Sequence, residues 1–251
     1  MKKYLPLLLI AIMTYSCKKD GLNPAKKQLI STETVTDYYP ADSTFNYVVT
    51  MQYDNNNRLT GVIRNYGPRY YLNTSTYSYD SNGNIVQISY FQGNNPNGTY
   101  TTSYQNGVPV STSYQAPNSN SAVVEANYTV EGSKIIGMTF PLSPSLMETL
   151  TYNGNNYNVL SYSDGSTYTY TYGNHTSPFL YTGLKYCLYG LDYVINDNEI
   201  LEMKEVNSNG GLTDLKNTFT YTTEGYPLKE QSYTNGTLTE TVIFSYTEVK
   251  E

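Results

Sequence analysis

Side chains alternate in character along much of the chain. Phe45, Tyr47, Val49, Met51 and Tyr53 share one parity, and Asn46, Val48, Thr50 and Gln52 share the other. Tyr168, Tyr170 and Tyr172 interleave with Thr167, Thr169 and Thr171, and Val242, Phe244 and Tyr246 with Ile243, Ser245 and Thr247. Successive side chains of a strand point to opposite faces. A period of two in β-branched and aromatic residues therefore predicts strands with one buried face. On that reading Tyr47, Met51, Val124, Leu150, Tyr170 and Phe244 point inward, and their Thr and Asn neighbours point to water.

The pattern also repeats on a longer scale. Anchor tyrosines at Tyr53, Tyr79, Tyr104, Tyr128, Tyr152, Tyr172, Tyr193 and Tyr221 recur roughly every 20 to 28 residues. Each follows an alternating stretch and precedes turn residues, as in Tyr79-Asp80-Ser81-Asn82-Gly83-Asn84-Ile85. Asn and Gly tolerate the positive φ of tight hairpins, which explains Asn82-Gly83, Asn106-Gly107, Asn153-Gly154 and Asn235-Gly236 at these places. Each unit reads as one hairpin. The fold class is all-β: an antiparallel up-and-down meander of about eight hairpins, curled into a closed or nearly closed barrel.

One stretch departs from alternation. In 177–190, Ser177 can cap a helix, Pro178 suits its first position and Gly190 its stop, while Leu180, Leu184, Cys187 and Leu188 fall on one side. This predicts one short helix packed on the sheet, across a barrel mouth. The alternative is a buried strand at 184–188.

The N-terminus reads as a sorting signal. Lys2 and Lys3 precede an apolar run at 5–13, too short for a lasting membrane span, and then Thr14-Tyr15-Ser16-Cys17. That ending resembles a bacterial lipobox, with a Tyr where a smaller residue is commoner. It predicts a signal peptide at 1–16, lipidation of Cys17, a tether at 17–33 and one β-domain at 34–251. Several acyl chains, at about 0.8 kcal/mol per buried CH₂, make a stable anchor. The polar start Lys18-Lys19-Asp20 is similar to that of surface-exported Bacteroidota lipoproteins. Asp42-Ser43-Thr44 resembles their O-glycosylation site.

Composition narrows the chemistry. Charged residues are 14% of the chain, the net charge is −6, and no basic patch is present, which argues against a nucleic-acid partner. Tyr occurs 30 times and Trp never. Outside the signal Cys187 stands alone, apolar-flanked, and reads as a buried inert thiol. The single histidine, His175, reads as a loop residue where the predicted helix begins. Carboxylates such as Glu125, Asp164 and Glu202 are scattered. The expectation is no catalytic residue, no metal site and no cofactor.

The Tyr-Asp-x-x-x-x-Leu/Ile units, clearest at Tyr53 and Tyr79, resemble the tyrosine–aspartate repeats of RHS-type shell proteins. As a whole, the lipobox, the Tyr-rich hairpins and the Tyr172-Gly173-Asn174-His175-Thr176-Ser177-Pro178-Phe179 segment are similar to a family of Bacteroidota lipoproteins described as having a porin-like β-barrel fold. The resemblance implies such a barrel and brings no catalytic residues. A membrane-spanning porin does not fit, because a lipid-facing wall needs a continuous apolar belt and the parity opposite the tyrosines is Thr, Ser, Asn and Gln.

What remains is a non-catalytic envelope lipoprotein, outer-membrane anchored on the surface or periplasmic face. It would bind a glycan or an envelope partner through Tyr and Asn. Alternatives are a structural or assembly role in the outer membrane and, less well supported, a glycan hydrolase. The turns after the anchor tyrosines should share one rim, so Asn55, Asn57 and Asn156 are the candidate ligand contacts. Asn94 and Asn95 should lie on the opposite rim.

Overall fold

The computed structural model describes residues 27–39, 43–186, 188–190 and 196–249. Among them are sixteen strands in one closed barrel, each hydrogen-bonded to its sequence neighbours and β1 closing on β16. They are β1 (Gln28–Tyr39), β2 (Ser43–Tyr53), β3 (Leu59–Asn65), β4 (Asn73–Tyr79), β5 (Ile85–Gln92), β6 (Asn95–Gln105), β7 (Val108–Gln115) and β8 (Val123–Glu131). The ring continues with β9 (Lys134–Thr139), β10 (Met147–Asn153), β11 (Asn156–Tyr162), β12 (Thr167–Thr176), β13 (Asn198–Val206), β14 (Leu212–Tyr221), β15 (Pro227–Thr234) and β16 (Thr237–Glu248). The all-β meander of hairpins is thus present, and the barrel is closed. Closure leaves no sheet edge to pair with another chain.

The stretch read as a signal peptide and Cys17 lie outside the described residues, as do Asp42, Cys187 and the anchor Tyr193. The sheet begins at Gln28, inside the stretch read as tether (17–33). A bulge between Ile30 and Thr32 interrupts the alternation there, so the parity signal starts late.

The anchor tyrosines do a repeated job. The pairing register slips at Gln52/Tyr53, Ser78/Tyr79, Ser103/Tyr104, Thr151/Tyr152 and Thr220/Tyr221, so each of these tyrosines sits at a bulge near the rim. A bulge re-aims its side chain. In four of the five the re-aimed hydroxyl donates to a carbonyl at the start of the preceding strand: Tyr53 to Ile30 (2.8 Å), Tyr79 to Leu59 (2.7 Å), Tyr104 to Ile85 (2.9 Å) and Tyr152 to Ile135 (2.8 Å). Tyr172 bonds the Tyr157 carbonyl, and Tyr246 bonds that of Pro227 at 2.7 Å. Buried polar groups require partners. Tyrosine, unlike Phe, covers the apolar residue beneath and satisfies its carbonyl.

The Asp following the first two anchors closes its turn. Asp54 Oδ1 accepts from the Asn56 and Arg58 N–H groups, and Asp80 Oδ1 from those of Asn82 and Asn84. Asn207 makes the same pair with Asn209 and Gly211, a third copy without a preceding tyrosine.

The wall faces follow parity. Met51, Leu150 and Phe244 are buried, and Tyr47 and Tyr170 half-buried, whereas Thr50 and Thr169 are exposed. Val124 departs from expectation: it is 36% exposed. A slip between Thr112 and Ser113 resets β8, so that buried Ala126 faces inward opposite Thr112 while Val124 pairs with Ser113. The inner wall of β1–β5 and β16 carries the core, including Val35, Val49, Val62, Ile88, Val242 and Phe244.

No helix forms among the described residues, so the predicted helix at 177–190 is corrected to a chain of turns. Gly183 has φ +77°, a left-handed conformation that ends any right-handed helix, and a Cβ there would press on Arg58. The predicted location survives the correction. The described part of the connection between β12 and β13, 177–186 and 188–190, crosses one mouth as a plug. Its Thr182 carbonyl accepts from Leu59 N (3.0 Å), Lys185 Nζ donates to the Asn82 carbonyl (2.6 Å), and Tyr189 N donates to the Tyr128 hydroxyl (2.8 Å). Leu184 and Leu188 drop into the core. Their spacing of four reflects where the mouth is apolar and not a helical stripe.

Candidate ligand cavity in the barrel

Beneath the plug, the inner faces of β13–β16 do not fill the barrel. A cavity of about 450 Å³ lies there. The plug's first residues, Ser177, Pro178 and Phe179, form one wall, with Asn196 from its far end. Glu199 and Ile200 of β13, Asn217 and Phe219 of β14, Glu230 of β15 and Glu240 of β16 complete it. Glu230 and Glu240 occupy inward parity positions: Glu230 pairs with Val242 and Ser232 with Glu240. On β1, Glu33 pairs with Phe244 and Asp37 with Glu240, so the acid ring continues beyond the cavity.

Glu199 is held from one side only. Its Oε1 accepts from the Tyr221 hydroxyl at 3.0 Å and lies 3.4 Å from His175 Nδ1, while the His175 ring stacks on Tyr221 with centroids 3.7 Å apart. The residue is 3% exposed, and its Oε2 has no hydrogen-bond partner. A Cβ on Gly173 would overlap this carboxyl, so glycine makes room for it. His175 therefore stands at the end of β12, beside an acid, and not in a loop before a helix as expected. Asn217 spends its Nδ2 on the Ile200 carbonyl at 3.1 Å, which leaves its buried Oδ1 unpartnered too.

Removal from water destabilises a charged carboxylate and raises its pKa. Burial, then the neighbouring Glu240 and Glu33, pushes Glu230 up to about 8. Burial, then a hydrogen bond with Asp37, pushes Glu240 up to about 7. Burial also pushes Glu33 up to about 7, with Arg64 opposing and Glu240 adding to the rise.

The candidate asparagines sit elsewhere. Asn55 and Asn57 occupy the β2–β3 turn, and Asn156 opens β11; by strand order all three lie on the plug rim, with Asn94 and Asn95 at the other. They share a rim but not a neighbourhood, because β2–β3 and β10–β11 lie across the ring from each other. Asn156 is a structural clamp: its Oδ1 accepts from Asp197 N and Asn198 N, and its Nδ2 donates to Asn198 Oδ1. Beside it, Tyr152, Tyr186, Lys134 and Asn155 border a second, smaller cavity of about 280 Å³ at the mouth.

No family model and no curated protein matches the chain. Solved structures do. A porin-like protein from Bacteroides uniformis ATCC 8492 superposes with a TM-score of 0.55 at 15% identity, over 87% of this chain and 96% of that one. A porin-like protein from Bacteroides vulgatus ATCC 8482 gives 0.49 at 12% identity, over 88% and 99%. The first of these likenesses places the chain in the porin-like barrel fold.

Proposed function

We infer that the protein is a non-catalytic binding protein of a Gram-negative envelope, held to its membrane by a lipid on Cys17, that takes a small ligand in the cavity beneath the plug. The observation that carries this reading is a closed barrel whose interior contains about 450 Å³ of space and buried acceptors without partners. Ligand sites are concave, largely apolar and furnished with a few convergent polar groups, in this size range. The outer wall is rich in exposed Thr and Ser, as at Thr101, Ser103, Thr169 and Thr171, which favours a barrel standing in water at the membrane over one embedded in it.

The test has two arms. Cys17→Ser should move the protein from membranes to the soluble fraction; unchanged retention ends the anchor claim. The purified chain should show a ligand-dependent rise in melting temperature with at least one class in a panel of amines, neutral sugars, nucleosides and carboxylates. A flat response to all of them ends the binding claim. A glycan reading is favoured by the mouth cavity instead, where Tyr152 and Tyr186 offer rings and Asn155 an amide. A sugar response lost in Tyr186→Ala would select it.

A further inference from the structure

We propose that the cavity between the plug and β13–β16 binds a small molecule carrying a protonated amine. The inference rests on the binding reading above and names its ligand class. Its ground is an imbalance of hydrogen-bonding groups. Glu199 Oε2 and Asn217 Oδ1 are buried acceptors with no donor, and both residues border the cavity. The Glu230 and Glu240 carboxyls border it as well, and no Lys or Arg does.

Two nearby amide donors are already engaged. Asn217 Nδ2 is committed to Ile200, and Asn198 Nδ2 to the His175 carbonyl at 3.1 Å. His175 and Tyr221 both approach Glu199 from its Oε1 side. A buried acceptor left without a donor destabilises the fold, more so when it is charged. A guest that supplies donors and positive charge removes that cost at several atoms together. An ammonium has three N–H donors and no acceptor.

Inorganic cations fit less well. Among the described residues no three His, Cys, Asp or Glu groups converge closely enough to hold a metal ion. The walls also include Pro178, Phe179 and Phe219, which suit a hydrocarbon chain. Positive charge would in addition relieve the repulsion among Glu230 on β15, Glu240 on β16, and Glu33 with Asp37 on β1, which Arg64 of β3 offsets at Glu33. Binding should therefore strengthen from pH 6 to pH 9, as the raised Glu230 and Glu240 carboxyls ionise.

The experiment is calorimetric titration of the purified full chain with cadaverine, beside 1,5-pentanediol as its neutral analogue and magnesium as a bare cation. Cadaverine should bind with a sub-millimolar Kd, tighter at pH 9 than at pH 6, and the diol should not. Glu199→Gln and Glu230→Gln should each weaken cadaverine at least tenfold, while Thr169→Ala on the outer wall leaves it unchanged. Circular dichroism confirms that each variant folds. No heat with cadaverine up to 10 mM, equal binding of the diol, an equal or stronger magnesium response, or Gln variants that bind as well as the parent would each overturn the proposal. If a neutral sugar or a carboxylate from the panel binds instead and Phe179→Ala abolishes it, the amine assignment fails while the binding reading stands. Silence from every compound removes both.

Discussion

Tyr79 shows why this chain uses tyrosine where most cores use phenylalanine or leucine. Its ring lies under the Arg58 guanidinium, 4.7 Å from centroid to Cζ, and its hydroxyl holds the Leu59 carbonyl of the strand before. Removing that hydroxyl leaves a buried carbonyl short of its donor. Tyr79→Phe should therefore cost about 1–3 kcal/mol, and comparable losses should follow at Tyr53, Tyr104 and Tyr152. Urea midpoints with an unchanged m-value check this, and a cost near zero at all four positions would reduce the tyrosine ring to packing alone. Inner and outer parity should also differ sharply. Phe244 is 3% exposed, so Phe244→Ala should cost about 3–5 kcal/mol. Thr169, on the outer wall, should lose under about 0.5 kcal/mol on change to Ala. Similar values for the two would mean that the inward and outward faces have been misassigned.

At the scale of elements, strands and plug differ in what holds them. Each strand has two neighbours in a closed ring. The plug has a few hydrogen bonds to Leu59, Asn82 and Gly107 at the neighbouring turns, plus the buried Leu184 and Leu188. Segments with few buried contacts open locally at lower free energy than the sheet. Leu184→Ala should accordingly raise amide exchange across 178–190 and leave the strands' protection almost unchanged. Uniform loss of protection would show that plug and barrel unfold as one unit. The strands were legible because period two and the Asn-Gly turns are local signals. The plug was legible as an exception but not in form. A leucine every four residues fits a helix as well as it fits a mouth with two apolar hollows, and only the left-handed Gly183 separates them. The cavity acids are far apart in sequence and look like scattered surface charge. For Glu240, and for Glu33 beyond the cavity, the signal was parity: Glu33 is in step with Val35, and Glu240 with Val242 and Phe244, so both carboxyls stand where the strand turns an apolar face inward.

At the scale of the molecule, those inward acids set how stability depends on pH. Glu33, Glu230 and Glu240 have ordinary values near 4.5 and folded values of about 7, 8 and 7. Between these limits the folded barrel binds more protons than the unfolded chain. Stability then falls as pH rises, since its slope follows protons bound unfolded minus folded. The stabilising effect of protonation is complete below about pH 4.5, is lost as pH climbs through 7 to 8, and changes no further above that. This is opposite to a carboxylate such as Asp80, which the Asn84 N–H and side chain hold low and which acts only in acid below that window. The groups facing Glu33 are Arg64, which favours its charge, and Glu240, which opposes it. Its rise from 4.5 to about 7 corresponds to a loss of about 3 kcal/mol between pH 4.5 and pH 8.5. The chain should therefore unfold at lower urea at pH 8.5 than at pH 5.5. Glu33→Gln, which keeps the shape and removes the titration, should stabilise the barrel at pH 8.5 and flatten the profile. Cadaverine should flatten it in the same direction, because a bound cation offsets the repulsion that raises Glu230 and Glu240. A barrel that is more stable at pH 8.5 than at pH 5.5, with Glu33→Gln lowering stability there, would mean that Arg64 and other charges stabilise these carboxylates by more than burial and mutual repulsion destabilise them.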